Sequence, residues 1–465
     1  MNRKNLHLAV LKLCKWYNTK ILGFYIGDTP TIVANDYESV REILFNQAYD
    51  GRPDIYVARL RDPDHEKRGI FFTDGPQWKE QRRFTLRHLR DYGFGRRFET
   101  LESEIRDELT ELINIIKGGP RYEHEKQFFR SDGYVNCPSA FFMCLGNCFL
   151  QVLVGERIPR KEQHTIARAG ILGILFQRTG DDYGKLLSVI PWIRYIFPNA
   201  SGYNKFKLAN KGLYKFMKNI IDKQLKSFDI NAERHFLDLY FKEMKGITND
   251  KEEGFYYKQL ILACIDFFFP ALTAIGAQTS FLFEFCLKNP KIKQNIQQEI
   301  DDVVGQGRLP NLDDRVHMHY TEACIRELLR FQTLVPSSIP HKAMFDVVYQ
   351  GFFVPKGCFM VPSLYAMHFD EKKWIEPHTF MPERFLDSRG QLSLKKDISL
   401  PFGAGKRLCA GETFARNILF LFITALFQNF DFELEEGLDV EDIMRKNETG
   451  LITTTPDFWL KFIGR

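Results

Sequence analysis

Cys409 lies in Phe402-Gly403-Ala404-Gly405-Lys406-Arg407-Leu408-Cys409-Ala410-Gly411-Glu412, and this setting gives its thiol a chemistry. A lone cysteine is ordinarily a small buried hydrophobe. This one follows a glycine-relaxed basic loop and opens an apolar stretch, 413–420, that reads as a helix. A sulfur at a helix N-terminus beside Lys or Arg is expected as thiolate, because amide dipoles and cations favour the charged form. Glycines on both sides let backbone approach a flat ligand and aim N–H groups at the sulfur. Such a socket for one anionic sulfur suits an axial ligand on heme iron.

Two further groups of residues could serve such a site. Glu327 and Arg330 are spaced i, i+3 within the helical stretch 321–331, so they share a face and can pair. In a chain with 26% charged residues that spacing arises by accident, as a solvated surface pair. It gains weight from Met381-Pro382-Glu383-Arg384-Phe385, whose Arg384 could lock onto Glu327 in a buried network beneath a cofactor. Trp78 and Arg82 set an indole N–H and a guanidinium one helical turn apart, two donors suited to a carboxylate such as a heme propionate. Taken singly, Trp78 is a core anchor and Arg82 a surface charge.

The elements that must position these residues are mostly helical. The segment 21–35 alternates and breaks at Gly27-Asp28-Thr29-Pro30, a β-hairpin signal, and a short helix follows at 38–45. Helical patterns cover 77–116 with a break at Gly93–Gly95, then 137–153, 160–178, 203–227, 256–287 and 291–304. Strand signals return at 347–354 and 358–361, with Pro355-Lys356-Gly357 as the turn between them, and a loop-rich stretch at 369–401 precedes the cysteine. No repeat or low-complexity linker marks a boundary, so residues 1–465 are expected to form one mainly α unit with a small β-sheet region.

Composition narrows the class. Apolar residues make up 44% and the net charge is +5, which gives no case for nucleic acid. Nine cysteines without any C-x-x-C argue against a disulfide scaffold or zinc site and for a reducing compartment. Glycosylation-type triplets at Asn199 and Asn447 arise by chance. The start mixes apolar residues with Arg3, Lys4, Lys12, Lys15 and Lys20, too charged for a span or signal peptide. The longest apolar stretch, 267–283, is interrupted by Pro270, Thr273, Gln278 and Thr279 and reads as a core helix. A dinucleotide-binding turn at Gly403 and Gly405 would need a third glycine where Leu408 stands.

In this order the motifs resemble the cytochrome P-450 family of heme-thiolate monooxygenases, over nearly the whole chain. The matching elements are Trp78-x-x-x-Arg82, Glu327-x-x-Arg330, Pro382-Glu383-Arg384-Phe385 and Phe402-x-x-Gly405-x-Arg407-x-Cys409-x-Gly411. Gly51-Arg52-Pro53, Trp78 to Phe84 and Ile339-Pro340-His341 look like its microsomal, animal-type branch. The resemblance implies heme b (iron protoporphyrin IX), with Cys409 as axial ligand inside the Phe402–Gly411 loop. It implies that Trp78, Arg82, His341, Arg407 and Arg52 bind the propionates and that Glu327, Arg330 and Arg384 form a structural triad. It also implies NADPH electrons through a flavoprotein reductase, a lipophilic substrate, and residence on the cytosolic face of the endoplasmic reticulum membrane. That branch carries an N-terminal membrane helix and proline-rich hinge; Met1 falls about where its first soluble helix would start, so the expectation is that either the sequence is truncated or the anchor is missing.

One stretch departs from the family, whose central helix carries Ala/Gly-Gly-x-Asp/Glu-Thr-Thr/Ser to hold protons beside the oxygen site. Counting without gaps from Asn289-Pro290 and from Glu327 puts that motif on Pro270-Ala271-Leu272-Thr273-Ala274-Ile275. Thr273 then replaces the acid and Ala274 the alcohol. Ile275-Gly276-Ala277-Gln278-Thr279-Ser280 imitates the motif five residues later, a rotation of about 140° that turns it from the iron unless a turn or bulge is inserted. Pro270 removes one helix hydrogen bond and should kink the helix. Three activities stay open. The first is a monooxygenase relaying protons through Thr273, water or a substrate hydroxyl; the second, an isomerase or dehydratase of hydroperoxides; the third, a heme-binding protein with little turnover. A basic surface at Lys79, Arg82, Arg83, Arg87, Arg90, Arg96 and Arg97 suits an acidic electron donor and favours the first. The aromatic segment 191–198 could dip into a bilayer surface or simply cap the pocket.

Overall fold

The computed structural model describes residues 6–180, 185–246 and 254–465; Arg3 and Lys4 lie outside them. Helices of eight or more residues are numbered here in chain order. They are α1 Leu6–Trp16, α2 Tyr37–Phe45, α3 Gly75–Asp91, α4 Glu99–Gly118, α5 Phe142–Val154, α6 His164–Thr179, α7 Tyr203–Lys226, α8 Phe236–Gly246, α9 Tyr257–Lys288, α10 Pro290–Val303, α11 His319–Phe331 and α12 Glu412–Asn429. The expected break at Gly93–Gly95 separates α3 from α4, where Gly93 takes a φ of +95° that a side chain rarely adopts.

Helix α9 is apolar on every face and therefore buried along most of its length. It is long and apolar enough to cross a membrane, yet 78% of its most apolar window is buried against the rest of the protein. It packs on α5, α6, α7 and α12, so the central helix touches each wall of the core. The helix continues through Pro270, whose ring can donate no bond to the Asp266 carbonyl one turn back.

Four small sheets flank the helices. Strands β1 (Ile21–Ile26), β2 (Thr29–Ala34), β4 (His341–Lys342) and β7 (Phe359–Pro362) form one sheet in the order β1-β2-β7-β4, with β2 and β7 parallel. A second sheet joins β3 (Tyr134–Cys137), β11 (Phe458–Gly464) and β8 (Phe430–Leu434). The stretch 347–354 is not one strand turning at Pro355 to meet the next. It is a closed hairpin of β5 (Val347–Tyr349) and β6 (Phe352–Val354), while β7 pairs with β2 and β4. The turn uses Gln350 at φ +51° and Gly351 at φ +84°, the paired left-handed residues of a type I′ turn. Strands β9 (Glu448–Thr449) and β10 (Thr453–Thr454) carry a C-terminal loop back over the core.

Candidate functional site

Cys409 precedes α12 by three residues and is held by its own N–H, which donates to the Phe402 carbonyl at 2.8 Å. Two glycines make that loop possible. Gly405 has a φ of +64°, and a Cβ there would meet the Leu44 carbonyl at 2.3 Å. Gly403 has a φ of +73° and faces open space, as a surface covered by a flat ligand would. The Cys409 sulfur opens into a cavity of about 280 Å³ lined mainly by apolar residues of α9, α12 and the loops before β4.

The pKa of the Cys409 thiol is raised above its ordinary range. Burial pushes it up, and the Gly411 N–H and the Arg82 guanidinium only partly oppose that. Lys406, expected to help, is turned away and donates to the Gln47 side chain. The thiol is therefore matched to a metal, since coordination to a cation deprotonates it outright.

The same cavity is edged by cations. Arg52, Arg82, His341 and Arg407 line it together with Phe402 and Gly411. Arg52 donates to the carbonyls of Phe71, Ile339 and Pro340 at 3.3, 3.1 and 3.0 Å. Arg407 donates to the carbonyls of Asp50 and Thr73 at 2.7 and 2.9 Å, and Arg82 to the Leu408 carbonyl. Burial pulls all three guanidinium groups down, and the charge of Arg407 on Arg52, and of Arg82 on both, adds to it. His341 is also pulled down by burial and by Arg52. Its Nδ1 lies 2.7 Å from the Tyr49 carbonyl, which can only accept, so Nδ1 carries the proton.

Trp78 completes the group. The Arg407 guanidinium sits 3.5 Å from its ring centroid, and its buried Nε1–H has no hydrogen-bond partner among the described residues. A buried donor left unmade costs about 1–3 kcal/mol. Three mutually repelling guanidinium groups and an orphaned indole N–H fit the two carboxylates of a porphyrin, and a thiol in the same cavity fits its iron.

The triad is assembled beneath this site. Glu327 and Arg330, both fully buried, meet through two bonds of 2.8 Å, and Arg384 reaches the same carboxylate at 3.1 Å. The Met381 N–H donates to it at 2.9 Å. Arg330 also donates to the carbonyls of His368 and Pro377, and Arg384 to those of Ile375, Glu376 and Thr379. The loop-rich stretch before the cysteine is thus pinned by three side chains.

Across from Cys409, helix α9 offers Asp266, Phe267, Phe269, Pro270, Ala271, Ala274, Ile275 and Gln278 to the cavity. Positions 270, 274 and 278 recur every fourth residue, one helical face. Ala274 faces the cavity, as the gap-free count places it. Thr273 does not line it: its hydroxyl donates to the Phe269 carbonyl at 2.9 Å and accepts from Gln177 Nε2 at 2.9 Å, behind that face. The expected proton relay through Thr273 therefore lacks a free O–H, because its one hydroxyl proton is donated to the Phe269 carbonyl. The imitating segment divides. Thr279 is buried and bonded to the Ile275 carbonyl, turned away as expected, whereas Gln278 lines the cavity.

Two residues were not foreseen. Gln177, on α6, joins Thr273 through its side chain and accepts from the Leu451 N–H at 2.8 Å through its carbonyl. Asp266 accepts from the N–H groups of Ile70 and Phe71 at 2.6 and 2.9 Å and pairs with buried Arg61, tying the 60–72 segment to α9. Their individual types carry no motif; the contacts join segments far apart in sequence. Of the basic surface, Lys79, Arg83, Arg87, Arg90 and Arg96 are exposed, Arg82 faces inward, and Arg97 is paired with Glu102 and Asp313.

A family model described as Cytochrome P450 matches residues 1–462. Cytochrome P450 2B19 of Mus musculus is 29% identical over the full chain and 91% of its own length. Cytochrome P450 2E1 of Oryctolagus cuniculus is 30% identical over 92% of this chain and 83% of its own. Farnesoate epoxidase of Bombyx mori is 29% identical over 90% of this chain and 80% of its own. With the thiol, the cationic edge and the buried triad in these positions, the chain belongs to the cytochrome P450 family of heme-thiolate monooxygenases.

Proposed function

We propose that the chain, acting as one domain, is a monooxygenase that inserts one atom of dioxygen into a lipophilic substrate, with NADPH electrons delivered by a flavoprotein reductase. The observation carrying this reading is the Cys409 thiol facing the same cavity as Arg52, Arg82, His341 and Arg407. Cys409 would be the axial ligand; Trp78 Nε1, Arg52, Arg82, His341 and Arg407 would hold the propionates. Glu327, Arg330 and Arg384 would keep the 375–385 loops rigid beneath them. Bound there, heme supplies dioxygen activation, which a thiolate ligand assists.

The chain's own residues do the rest. Gly403 and Gly405 keep the backbone close to the ligand plane, and the Gly411 N–H steadies the sulfur. Phe267, Phe269, Pro270, Ala271, Ala274 and Ile275 exclude water from the reacting face and present an apolar wall, which supports a lipophilic substrate. The ring of Pro270, at the cavity wall, can donate no bond to the Asp266 carbonyl one turn back. The exposed cations Lys79, Arg83, Arg87, Arg90 and Arg96 suit an acidic reductase.

The segment 191–198 exposes Trp192, Tyr195, Ile196 and Phe197, each more than half accessible. Val189 beside it lies 3.0 Å from where a Cβ of Gly27 would stand, next to exposed Tyr25. These aromatics support contact with the cytosolic face of the endoplasmic reticulum membrane. The test is a substrate screen in two arms, NADPH with reductase and lipid hydroperoxide without it. Oxygenated product in the first arm alone is expected; rearranged hydroperoxide in the second alone would overturn the reading.

A further inference from the structure

Helix α9 presents three polar side chains at or behind the cavity wall, and two are fully engaged. The Asp266 carboxylate is taken by Arg61 and by the N–H groups of Ile70 and Phe71. The Thr273 hydroxyl is taken by Phe269 and Gln177. Gln278 is different. It lines the cavity, is 2% accessible, and neither Oε1 nor Nε2 has a hydrogen-bond partner among the described residues.

An amide buried this way loses its hydrogen bonds to water and gains none from protein, a penalty that methionine of similar volume would not carry. Its neighbours on the same face, Pro270, Ala271, Ala274 and Ile275, can offer it nothing polar from their side chains. Gln278 stands one helical turn beyond Ala274, where the counted register puts a methyl in place of the alcohol.

We propose that Gln278 is a positioning residue that holds a water molecule on the distal face of the heme, the role left open by Ala274. Its Nε2–H donates to, and its Oε1 accepts from, that water, which in turn donates to a diatomic ligand of the iron. The amide gives up no proton; it fixes the orientation of a water that can. The proposal rests on the heme-thiolate reading of this cavity, and it deepens the monooxygenase reading by naming what positions the proton donor.

The test uses the full-length heme protein and carbon monoxide, and needs neither substrate nor reductase. The C–O stretch of the reduced carbonyl complex is recorded for the wild type and Gln278→Met, in H2O and in D2O. The wild type is expected to have the lower frequency and to respond to D2O; Gln278→Met should shift upward and lose that response. Equal frequencies and equal deuterium responses overturn the proposal. Thermal unfolding supplies a second arm: Gln278→Met should melt no lower than the wild type, and a clearly lower midpoint would mean that the amide serves packing instead. With NADPH and reductase, hydrogen peroxide released per NADPH should rise about two- to tenfold, the factor carried by one hydrogen bond. Absence of NADPH turnover in both proteins would count against the monooxygenase reading alone, since the carbonyl spectra are independent of it.

Discussion

Replacing Glu327 by Gln removes the charge on which the triad converges while keeping its shape. Arg330 has no solvent exposure and would keep its bonds to the carbonyls of His368 and Pro377, yet its charge would lose the carboxylate. Stranding a buried charge in this way costs about 3–5 kcal/mol. Unfolding entropy of about 2.1 cal/mol/K per residue, over 465 residues, makes 1 kcal/mol worth roughly 1 °C in the midpoint. The melting temperature of Glu327→Gln should therefore fall by about 3–5 °C. The assay is far-ultraviolet dichroism on heating, with heme absorbance followed in parallel; heme should be released no later than the helices melt. A double variant, Glu327→Gln with Arg330→Met, removes the stranded charge and should recover part of the loss. A single variant that melts within a degree of the wild type would refute the claim that this charge network holds the loops in place.

Two other outcomes follow from the site and a third from a buried carboxyl near the C-terminal end of α9. If the orphaned Trp78 N–H meets a propionate as proposed, Trp78→Phe removes a donor to a charged group, a contribution of about 1.5–3 kcal/mol, so heme transfer to an acceptor protein should speed up about tenfold to a hundredfold. Ala274→Thr supplies the missing hydroxyl on the cavity face and should raise product formed per NADPH; an unchanged ratio would count against the counted register. Burial pushes buried Glu284 up to about 7, against Asn447 and Thr455, which pull it down. A carboxyl raised in the folded state binds its proton there first, so stability falls as pH rises from about 4.5 to 7 and is level above. Glu284→Gln should remove that dependence and gain about 3 kcal/mol at pH 8, read as a difference in urea midpoints.

Local signals were the legible part of this molecule. The glycines, cations and cysteine of 402–411 form a recognisable run because their types and spacing lie within ten residues, although Gly405, Lys406 and Arg407 meet partners far away at Leu44, Gln47, Asp50 and Thr73. Glu327, Arg330 and Arg384 were legible only as a set, since a pair three residues apart is common and its burial is decided by the Pro382 turn docking on α11. Pairings across the chain left no such trace. The β5–β6 hairpin hid because Gln350, rather than Asn or Gly, takes the first left-handed position. Gap-free counting put Ala274 on the cavity face and a rotation of about 100° per residue put Thr279 off it, yet Thr273 proved committed to Gln177, a residue 96 positions away. At the sulfur itself, desolvation opposes the local cations, and that desolvation depends on everything packed around it.

The central claim is that the Cys409 sulfur is the protein's bond to iron. It is tested most directly by the absorption of the reduced carbonyl complex in the wild type and in Cys409→Ala. The account predicts a strongly red-shifted Soret band in the wild type and its loss in the variant. The same band persisting without the Cys409 thiol would contradict it.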